Sequence, residues 1–192
     1  MAQLGFYFDM TRCIGCRTCQ VACKDRWQIQ GAGARPRRVE TYETGEYPDA
    51  KMYHIAMSCN QCGNPACVAA CPTGAMFKAE DGTMRYDESL CDGCGACVTG
   101  CPYGAPQLLE TGKIARCDSC YTLREAGMNP VCVDACLMRC LDFGDVEELK
   151  AKYGTNLVSD VASLYDSTVT QPNLLIKATP ASQEADYVSV II

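Results

Sequence analysis

The sequence is poor in the residues that mark several common classes of protein. It contains a single histidine, His54, and a single tryptophan. A Rieske-type centre needs two histidines on one iron, so it is excluded, and we interpret His54 as an ordinary strand residue. No run of apolar residues approaches the roughly 18–20 needed to cross a bilayer. The chain is therefore predicted to have no membrane span of its own.

Positive charge is also scarce. The 17 lysines and arginines are outnumbered by 23 aspartates and glutamates, which gives a net charge of −6. Nucleic acid is disfavoured as a partner, because binding of phosphates needs a basic surface. Residues 1–9 lack the basic region, the apolar stretch and the small-residue cleavage site of a signal peptide. We expect the chain in the cytoplasm or associated with either face of a membrane, exported only as the passenger of a partner.

Cysteine is the residue in excess, with 17 among 192 residues. In a short secreted chain such a density indicates a disulfide scaffold, but the odd number and the missing signal peptide argue against one here. Reduced thiols are available as metal ligands. Sixteen cysteines fall into four groups in chain order, and Cys140 is left over. The groups are Cys13, Cys16, Cys19 and Cys23 (group one), Cys59, Cys62, Cys67 and Cys71 (group two), Cys91, Cys94, Cys97 and Cys101 (group three), and Cys117, Cys120, Cys132 and Cys136 (group four).

An internal repeat underlies groups one and three. Residues 9–23 and 87–101 both read D-x-x-x-C-x-G-C-x-x-C-x-x-x-C, with Gly15 and Gly93 at equivalent positions. Residues with strand character precede the first three groups, at 4–8, 52–57 and 83–86. Alanine-rich residues before the fourth cysteines favour short helices. Each C-x-x-C is therefore predicted to be a loop that leaves a strand.

Three segments lie outside the cysteine groups. Residues 24–50, with several glycines, prolines and arginines, are predicted to be an insertion. Residues 145–153 are predicted to form a helix, because Asp145 and Glu148 have a capping-box-like spacing and Gly154 suits its end. Residues 157–192 form a tail without a helical period, ending in an extended apolar run. The alternatives are a disordered end and a strand added to a partner's sheet, and the apolar character favours docking.

The spacing of the cysteines is typical of cubane iron–sulfur clusters. A C-x-x-C-x-x-C loop surrounds one face of a small inorganic cube with three thiolates, and the fourth cysteine of a bacterial-type run binds the other cluster of a pair. A zinc site needs only two C-x-x-C pairs, which groups one and three exceed. Zinc thus remains the weaker alternative. Group four, with a long gap between Cys120 and Cys132, gains weight because group one needs a partner.

A crossed assignment of ligands follows if group one pairs with group four and group two with group three. We expect four 4Fe–4S clusters at four sites. The ligands are Cys13, Cys16, Cys19 and Cys136 (site 1), Cys23, Cys117, Cys120 and Cys132 (site 2), Cys59, Cys62, Cys67 and Cys101 (site 3), and Cys71, Cys91, Cys94 and Cys97 (site 4). Every iron then has a cysteine and none is open to a substrate. A catalytic role for this chain alone is therefore disfavoured, and no catalytic residue is predicted.

Single residues near the ligands allow two interpretations each. A cation beside a cluster favours its reduced, more negative state and raises its potential. Arg12, Arg17, Lys24 and Arg116 flank ligands and are either such cations or plain solvated charges. Cys140 is either a redox sensor or spare ligand, or a small buried apolar residue, and the second is the more common role of a free cysteine.

With the four groups in place, the chain resembles the four-cluster iron–sulfur electron-transfer subunit of dimethyl sulfoxide reductase and related molybdopterin oxidoreductases. The resemblance covers nearly the whole chain. It includes motifs around every cysteine group and one in the tail: GFYFD at 5–9, CKD at 23–25, SCNQC at 58–62, NPAC at 64–67, CPYGAPQ at 101–107, residues 113–120, and QPNLLIK at 171–177.

This resemblance implies an electron relay of anaerobic respiration. Its expected partners are a molybdopterin-containing catalytic subunit and a quinol-oxidising integral membrane anchor, with groups two and three toward the anchor. Two alternatives stay open. One is a relay for another oxidoreductase, such as a formate dehydrogenase, a hydrogenase or an aromatic dehydroxylase. The other is a zinc-stabilised interaction module without a redox role.

The fold is predicted to be α+β, with two bacterial-ferredoxin-like lobes, one nested in sequence inside the other. Residues 1–49 and 112–156 form the outer lobe, which includes the insertion, and residues 50–111 form the inner lobe. The tail, 157–192, wraps around them. Because two such lobes have little core, the apo chain is predicted to be largely unfolded.

Overall fold

Four small sheets and seven short α-helices organise the part of the chain that the structure, a computed structural model, describes, which is residues 3–190. Two 3-10 helices, Glu88–Leu90 and Pro180–Gln183, complete it. The elements in chain order are β1 (Leu4–Asp9), α1 (Thr18–Arg26), β2 (Arg38–Thr44), β3 (Lys51–Met57), α2 (Ala66–Ala69), β4 (Met76–Lys78), β5 (Met84–Tyr86), α3 (Ala96–Gly100), β6 (Gln107–Leu108), β7 (Ile114–Ala115), α4 (Tyr121–Glu125), α5 (Val131–Asp134), β8 (Leu141–Asp145), α6 (Val146–Tyr153), α7 (Ser167–Thr170), β9 (Leu174–Lys177) and β10 (Val188–Val190). This mixture of small helices and sheets confirms the predicted α+β class.

Strand β1 is the centre of the first sheet. It pairs antiparallel with β8 and parallel with β9, so that Phe8 lies between Leu141 and Ile176. Its aromatic residues favour a strand, and Phe6 and Phe8 are fully buried. Gly5 allows β9 to approach, because a side chain there would collide with the carbonyl oxygen of Asn173. This close approach gives a physical reason for the glycine in the GFYFD segment.

The second sheet joins the predicted insertion to the strand before group two. Within residues 24–50, α1 extends to Arg26 and β2 forms an antiparallel hairpin with β3, in which Tyr42 lies opposite Tyr53. The strand β2 was not anticipated from its sequence. Most of its residues are charged or polar, yet Val39, Thr41 and Tyr42 are buried. The strand lies between β3 and the tail strand β10 and also contacts α1.

The tail docks onto this same chain. Strand β9 joins the first sheet, and β10 pairs antiparallel with β2, with Ser189 opposite Tyr42. Ile191 and Ile192, the end of the predicted apolar run, lie outside the described residues. Up to residue 190 the tail is ordered, and its strands pair with strands of this chain. Docking of the tail on the sheet of a partner stays a prediction.

Helix α6 confirms the capping prediction. The Asp145 carboxylate accepts hydrogen bonds from the backbone N–H groups of Glu147 and Glu148, and Gly154 ends the helix with a φ of 91°. These contacts satisfy backbone groups that a helix end leaves free. Within residues 3–190, no helix combines the length and apolar character needed to cross a membrane.

The apolar core is divided unequally. A large core surrounds Phe6, Phe8, Ile55 and Ile176 and reaches cysteines of groups one, two and four. A smaller satellite core contains Cys67, Met76, Cys97 and Ile114 as its buried members. Cysteines thus provide half of the buried residues of the satellite core.

Candidate iron–sulfur cluster sites

All four C-x-x-C loops adopt the same unusual backbone conformation. The residue before the second cysteine has a positive φ in each: 67° at Gly15, 76° at Gly93, 50° at Gln61 and 58° at Ser119. The repeat predicted this similarity only for the two glycines. Gln61 and Ser119 carry the same conformation at a steric cost, so the equivalence of groups two and four was not visible in the sequence.

This conformation turns backbone N–H groups toward the cysteine sulfurs. The N–H of Gly93 donates to Cys91 Sγ at 3.4 Å, and the N–H of Ser119 donates to Cys117 Sγ at 3.4 Å. Such bonds favour the charged, thiolate form of a ligand over the neutral thiol. The loops are therefore suited to hold negatively charged sulfur.

Short helices bring the groups together in crossed pairs. Helix α1, which carries Cys19 and Cys23, packs against α5, which carries Cys132. Helix α2, which carries Cys67, packs against α3, which carries Cys97. Group one thus lies beside group four, and group two beside group three.

The thiols of groups one and four gather in two places. Burial chiefly raises the pKa of Cys19, and negative charge on Cys13, Cys136 and Cys16 raises it further. Burial likewise raises the pKa of Cys23, and charge on Cys117, Cys132 and Cys120 adds to the effect. The neighbours of Cys19 are the other members of site 1, and those of Cys23 are the other members of site 2.

The thiols of groups two and three gather in the same way. Burial raises the pKa of Cys62 to about 12, and charge on Cys59, Cys101 and Cys67 contributes. For Cys97, burial is again the main reason for a raised pKa, followed by charge on Cys71 and Cys91. The fourth cysteine of site 4, Cys94, lies exposed on the loop between Cys91 and Cys97.

Two of the sites border small cavities. All four cysteines of site 1, together with Cys140, line a cavity of about 20 Å³. The four cysteines of site 3 line a second cavity of about 20 Å³. Both cavities are bounded mainly by apolar atoms apart from the sulfurs, as a site that excludes water from its contents requires.

The donor set fits a cubane cluster. Each of the four sites brings together four thiols, which is one ligand for each iron at the corners of a 4Fe–4S cube. Two buried polar atoms, the Nε of Arg37 and of Arg116, have no hydrogen-bond partner among the described protein atoms and suit an acceptor such as sulfide.

The four cations singled out in the sequence have different surroundings. Arg116 is buried, and its Nη2 donates to Cys59 Sγ at 3.1 Å. Arg12 is exposed and Lys24 half-buried, and both donate to backbone carbonyls rather than to sulfur. Arg17 is half-buried beside His54, whose pKa is lowered by burial and then by this cation. Of these four, only Arg116 therefore acts as a buried cation at a thiol.

A second buried cation, Arg37, was not recognised in the sequence. Its guanidinium donates to the carbonyl of Ala56 at 3.0 Å and to Ser58 Oγ at 2.9 Å, and it lies 4.6 Å above the ring of Phe6. Nothing in the sequence separates Arg37 from Arg35 and Arg38. Its burial depends on the unexpected strand β2, which begins at the next residue.

Cys140 is buried, in agreement with the interpretation of a small core residue. Its Sγ lies 3.4 Å from Cys136 Sγ. A hydrogen bond from Cys140 is also the main reason why the pKa of Cys13 is lowered to about 7. The seventeenth cysteine thus contacts two members of site 1.

The four sites lie in series. Cys19 of site 1 and Cys132 of site 2 are close enough for mutual electrostatic influence, as are Cys117 of site 2 and Cys59 of site 3, and Cys67 of site 3 and Cys97 of site 4. The two exposed cysteines, Cys16 and Cys94, belong to the two ends of this series. All members of site 2 are buried.

Two family models together cover all four cysteine groups. One model described as a 4Fe–4S dicluster domain matches residues 50–146, and another of the same description matches residues 12–75. The molecule is thus an iron–sulfur protein of the 4Fe–4S dicluster class.

Relatives of similar length identify the family within this class to which the chain belongs. The chain is 43% identical to the B subunit of anaerobic dimethyl sulfoxide reductase from Haemophilus influenzae, over 92% of this chain and 90% of the relative. It is 41% identical to the B subunit of the same reductase from Escherichia coli K12, over 94% and 91%. It is also 35% identical to protein NrfC of that strain, over 75% of this chain and 66% of the relative. The protein belongs to the family of the iron–sulfur subunit of dimethyl sulfoxide reductase, and is an electron-transfer subunit that is not catalytic by itself.

Proposed function

We propose that the chain relays single electrons through four 4Fe–4S clusters between a quinol-oxidising membrane anchor and a molybdopterin-containing catalytic subunit. The observation that carries this proposal is the series of four four-thiol sites with an exposed cysteine at each end. Such a series offers a place for electrons to enter, a protected path and a place to leave. The family of the chain supports the same role.

The proposed ligands are the sixteen cysteines of the four sites. They are Cys13, Cys16, Cys19 and Cys136 at site 1, Cys23, Cys117, Cys120 and Cys132 at site 2, Cys59, Cys62, Cys67 and Cys101 at site 3, and Cys71, Cys91, Cys94 and Cys97 at site 4. The electrostatic neighbours of Cys19, Cys23, Cys62 and Cys97 support this crossed assignment. The corresponding lobes are residues 1–49 with 112–156 and residues 50–111, with the tail at 157–192.

The bound clusters supply one-electron oxidation and reduction. The residues of the chain hold them, exclude water and stabilise negative charge on sulfur. Buried thiols with a raised pKa are neutral on their own at neutral pH, so the energy of metal binding has to remove their protons. N–H groups such as those of Gly93 and Ser119 and the guanidinium of Arg116 then face the resulting thiolates.

The proposed orientation places site 4 toward the anchor and site 1 toward the catalytic subunit. Groups two and three, which contain sites 3 and 4, lie toward the anchor by resemblance to the family. The exposed Cys94 and Cys16 support contact sites at these two ends.

The composition of anaerobically purified protein tests the proposal. We expect about 16 irons per chain with matching sulfide, no stoichiometric zinc, and co-purification of a molybdenum-containing subunit. Zinc without sulfide would contradict the electron relay.

Two matched variants then test the assignment of the ends. Cys16→Ser should alter the electron paramagnetic signal of one cluster and Cys94→Ser that of a different one. The control is Cys140→Ala, which should leave the iron and sulfide content unchanged. The assignment is wrong if Cys16→Ser and Cys94→Ser change the same signal or if Cys140→Ala removes a cluster.

A relay for another oxidoreductase is the second candidate. It is favoured by the 35% identity to protein NrfC. Co-purification of a redox partner without molybdenum would support this candidate over the first.

A further inference from the structure

Two arginines are the buried cations among residues 3–190. Arg37 is 1% exposed and Arg116 is 2% exposed. Neither forms an ion pair with a carboxylate in that part of the chain, whereas eight other ion pairs do form there. An isolated buried charge is strongly unfavourable. The charge that neutralises these two guanidiniums must therefore come from another group.

The surroundings of Arg116 identify that group at one position. Its Nη2 donates to Cys59 Sγ of site 3 at 3.1 Å, its Nη1 donates to the carbonyl of Arg85 at 3.1 Å, and it directly precedes Cys117 of site 2. Its guanidinium is also close enough to Cys67 of site 3 and Cys117 of site 2 to interact with charge on either ligand. Arg116 lies where site 2 meets site 3.

Arg37 occupies the preceding junction. Its Nη1 donates to the carbonyl of Ala56, a residue that lines the cavity at site 1. The thiols that interact with its charge are Cys132, Cys19 and Cys117. Cys19 belongs to site 1, whereas Cys132 and Cys117 belong to site 2. Two of its three donor nitrogens form hydrogen bonds: one with the carbonyl of Ala56 in β3, and one with Oγ of Ser58, which directly follows β3. The guanidinium is thus fixed in place where site 1 meets site 2.

Each of the two arginines has one buried N–H donor that is not used in a hydrogen bond with any atom of residues 3–190. The Nε atoms of Arg37 and Arg116 have no partner among the described protein atoms. A buried donor without an acceptor destabilises a fold. Negatively charged sulfur within reach of the guanidinium would accept a charge-assisted hydrogen bond from it.

We propose that Arg37 and Arg116 set the reduction potentials along the relay, by stabilising the reduced state at the two junctions that involve site 2. This inference rests on the proposed function. A fixed positive charge favours the more negative, reduced state of a neighbouring cluster and raises its potential. Arg116 also reaches Cys97 of site 4, but as the weakest of the influences on that thiol, so site 4 receives less of this stabilisation than site 3 does.

Redox titration followed by electron paramagnetic resonance tests the proposal on the anaerobically purified chain together with its co-purified subunits. Arg116→Gln should lower the potentials of sites 2 and 3, and Arg37→Gln those of sites 1 and 2. We expect at least about a tenfold fall in the ratio of reduced to oxidised cluster at a given potential, which is about 59 mV for one electron. Site 4 should shift less than site 3 in Arg116→Gln and should shift little in Arg37→Gln.

Arg12→Gln is the matched control. Arg12 directly precedes the ligand Cys13, as Arg116 precedes Cys117, but it is exposed. The shifts of the cluster potentials in Arg12→Gln should be much smaller than those in Arg116→Gln.

The variants Arg37→Lys and Arg116→Lys keep the positive charge. They should restore most of the cluster potential, which a purely structural role would not do.

Each outcome decides a separate question. If the glutamine variants keep their iron and all potentials stay at the wild-type values, the inference is wrong while the proposed function stands. If a glutamine variant fails to bind iron, the redox titration is made on the lysine variant at the same position. Ratios of reduced to oxidised cluster within tenfold of wild type then support the inference, and a larger fall overturns it. A wild-type chain without iron and sulfide overturns the proposed function itself.

Discussion

The two ends of the site series begin from the same local sequence and have different support. Gly15 at the site 1 end and Gly93 at the site 4 end have φ values of 67° and 76° in equivalent loops. A side chain at Gly15 would lie 2.6 Å from the ring of His54, whereas one at Gly93 would lie 3.0 Å from the carbonyl oxygen of Gly112. The first loop is backed by a strand of a three-stranded sheet, and the second by the turn between the two-residue strands β6 and β7.

The cores behind these loops differ more than the loops themselves. Site 1 adjoins the large core with Phe6, Phe8 and the buried Arg37. The satellite core near site 4 has four buried residues, of which Cys67 and Cys97 are proposed ligands. Because apolar burial is the main favourable term in folding, the site 4 end depends on its clusters for stability much more than the site 1 end does.

Removal of iron should have the largest effect and should separate the two ends. We expect anaerobic chelation to unfold most of the chain, with hydrogen exchange rising first at α2, α3 and β4–β5 and last at β1. The reason is that clusters replace much of the core at the site 4 end. Hydrogen-exchange mass spectrometry during chelation measures the order. Native-like circular dichroism of iron-free protein would contradict the expected unfolding.

A matched pair of core truncations should have the next largest effect. Phe8→Ala in β1 should lower the free energy of unfolding by roughly 3–5 kcal/mol, and Ile114→Ala in the satellite core by roughly 2–5 kcal/mol. Although Phe8→Ala leaves the larger cavity, Ile114→Ala should be the variant that loses iron from sites 3 and 4. Iron content and denaturant-induced bleaching of the visible absorbance measure the two effects. Equal iron loss in both variants would remove the distinction between the ends.

Asp81, in the turn between β4 and β5, links this hairpin at the site 4 end to helix α4. Its carboxylate accepts from Arg124 Nη2 at 3.0 Å and from the N–H of Thr83 at 3.0 Å. Burial would raise its pKa, but the bonds from Thr83 and Arg124 outweigh burial and lower the pKa to about 2. Asp81→Asn should therefore cost about 1 kcal/mol at neutral pH, since solvent screens this partly exposed group.

The pH dependence of this effect has a definite sign. A carboxylate with a depressed pKa stabilises the folded state above its unfolded pKa of about 3.9, and that contribution is lost as the pH falls toward the folded value. The visible absorbance of Asp81→Asn should bleach faster in denaturant than that of wild type. This difference in rate should be largest at pH 7 and should begin to decrease below roughly pH 4. Glu80→Gln, an equal charge change at the exposed neighbouring residue, is the control. A difference that widens in acid would contradict the ion-pair explanation.

Much of the local structure could be predicted from the sequence. The strand segments at 4–8 and 52–57, the capped helix after Asp145 and the loop glycines follow from rules that involve a few neighbouring residues. The strand β2 could not be predicted, because its burial depends on partners outside its own segment, among them β10 at the end of the described chain. The equivalence of Gln61 and Ser119 to glycines was equally hidden, since neither residue signals a positive φ.

The number and spacing of the thiols, and with them the chemistry of the protein, are set by the order of its residues, because three cysteines within seven residues can surround only something small. The folded arrangement establishes the series of the sites, which of them reach the surface, and which arginines are buried among them. Arg37 and Arg35 are alike in sequence, yet Arg37 is the one that lies within reach of thiols from two sites. The reason is physical: ligation is settled over a few bonds, whereas burial and electrostatic neighbourhood depend on residues far apart in the chain.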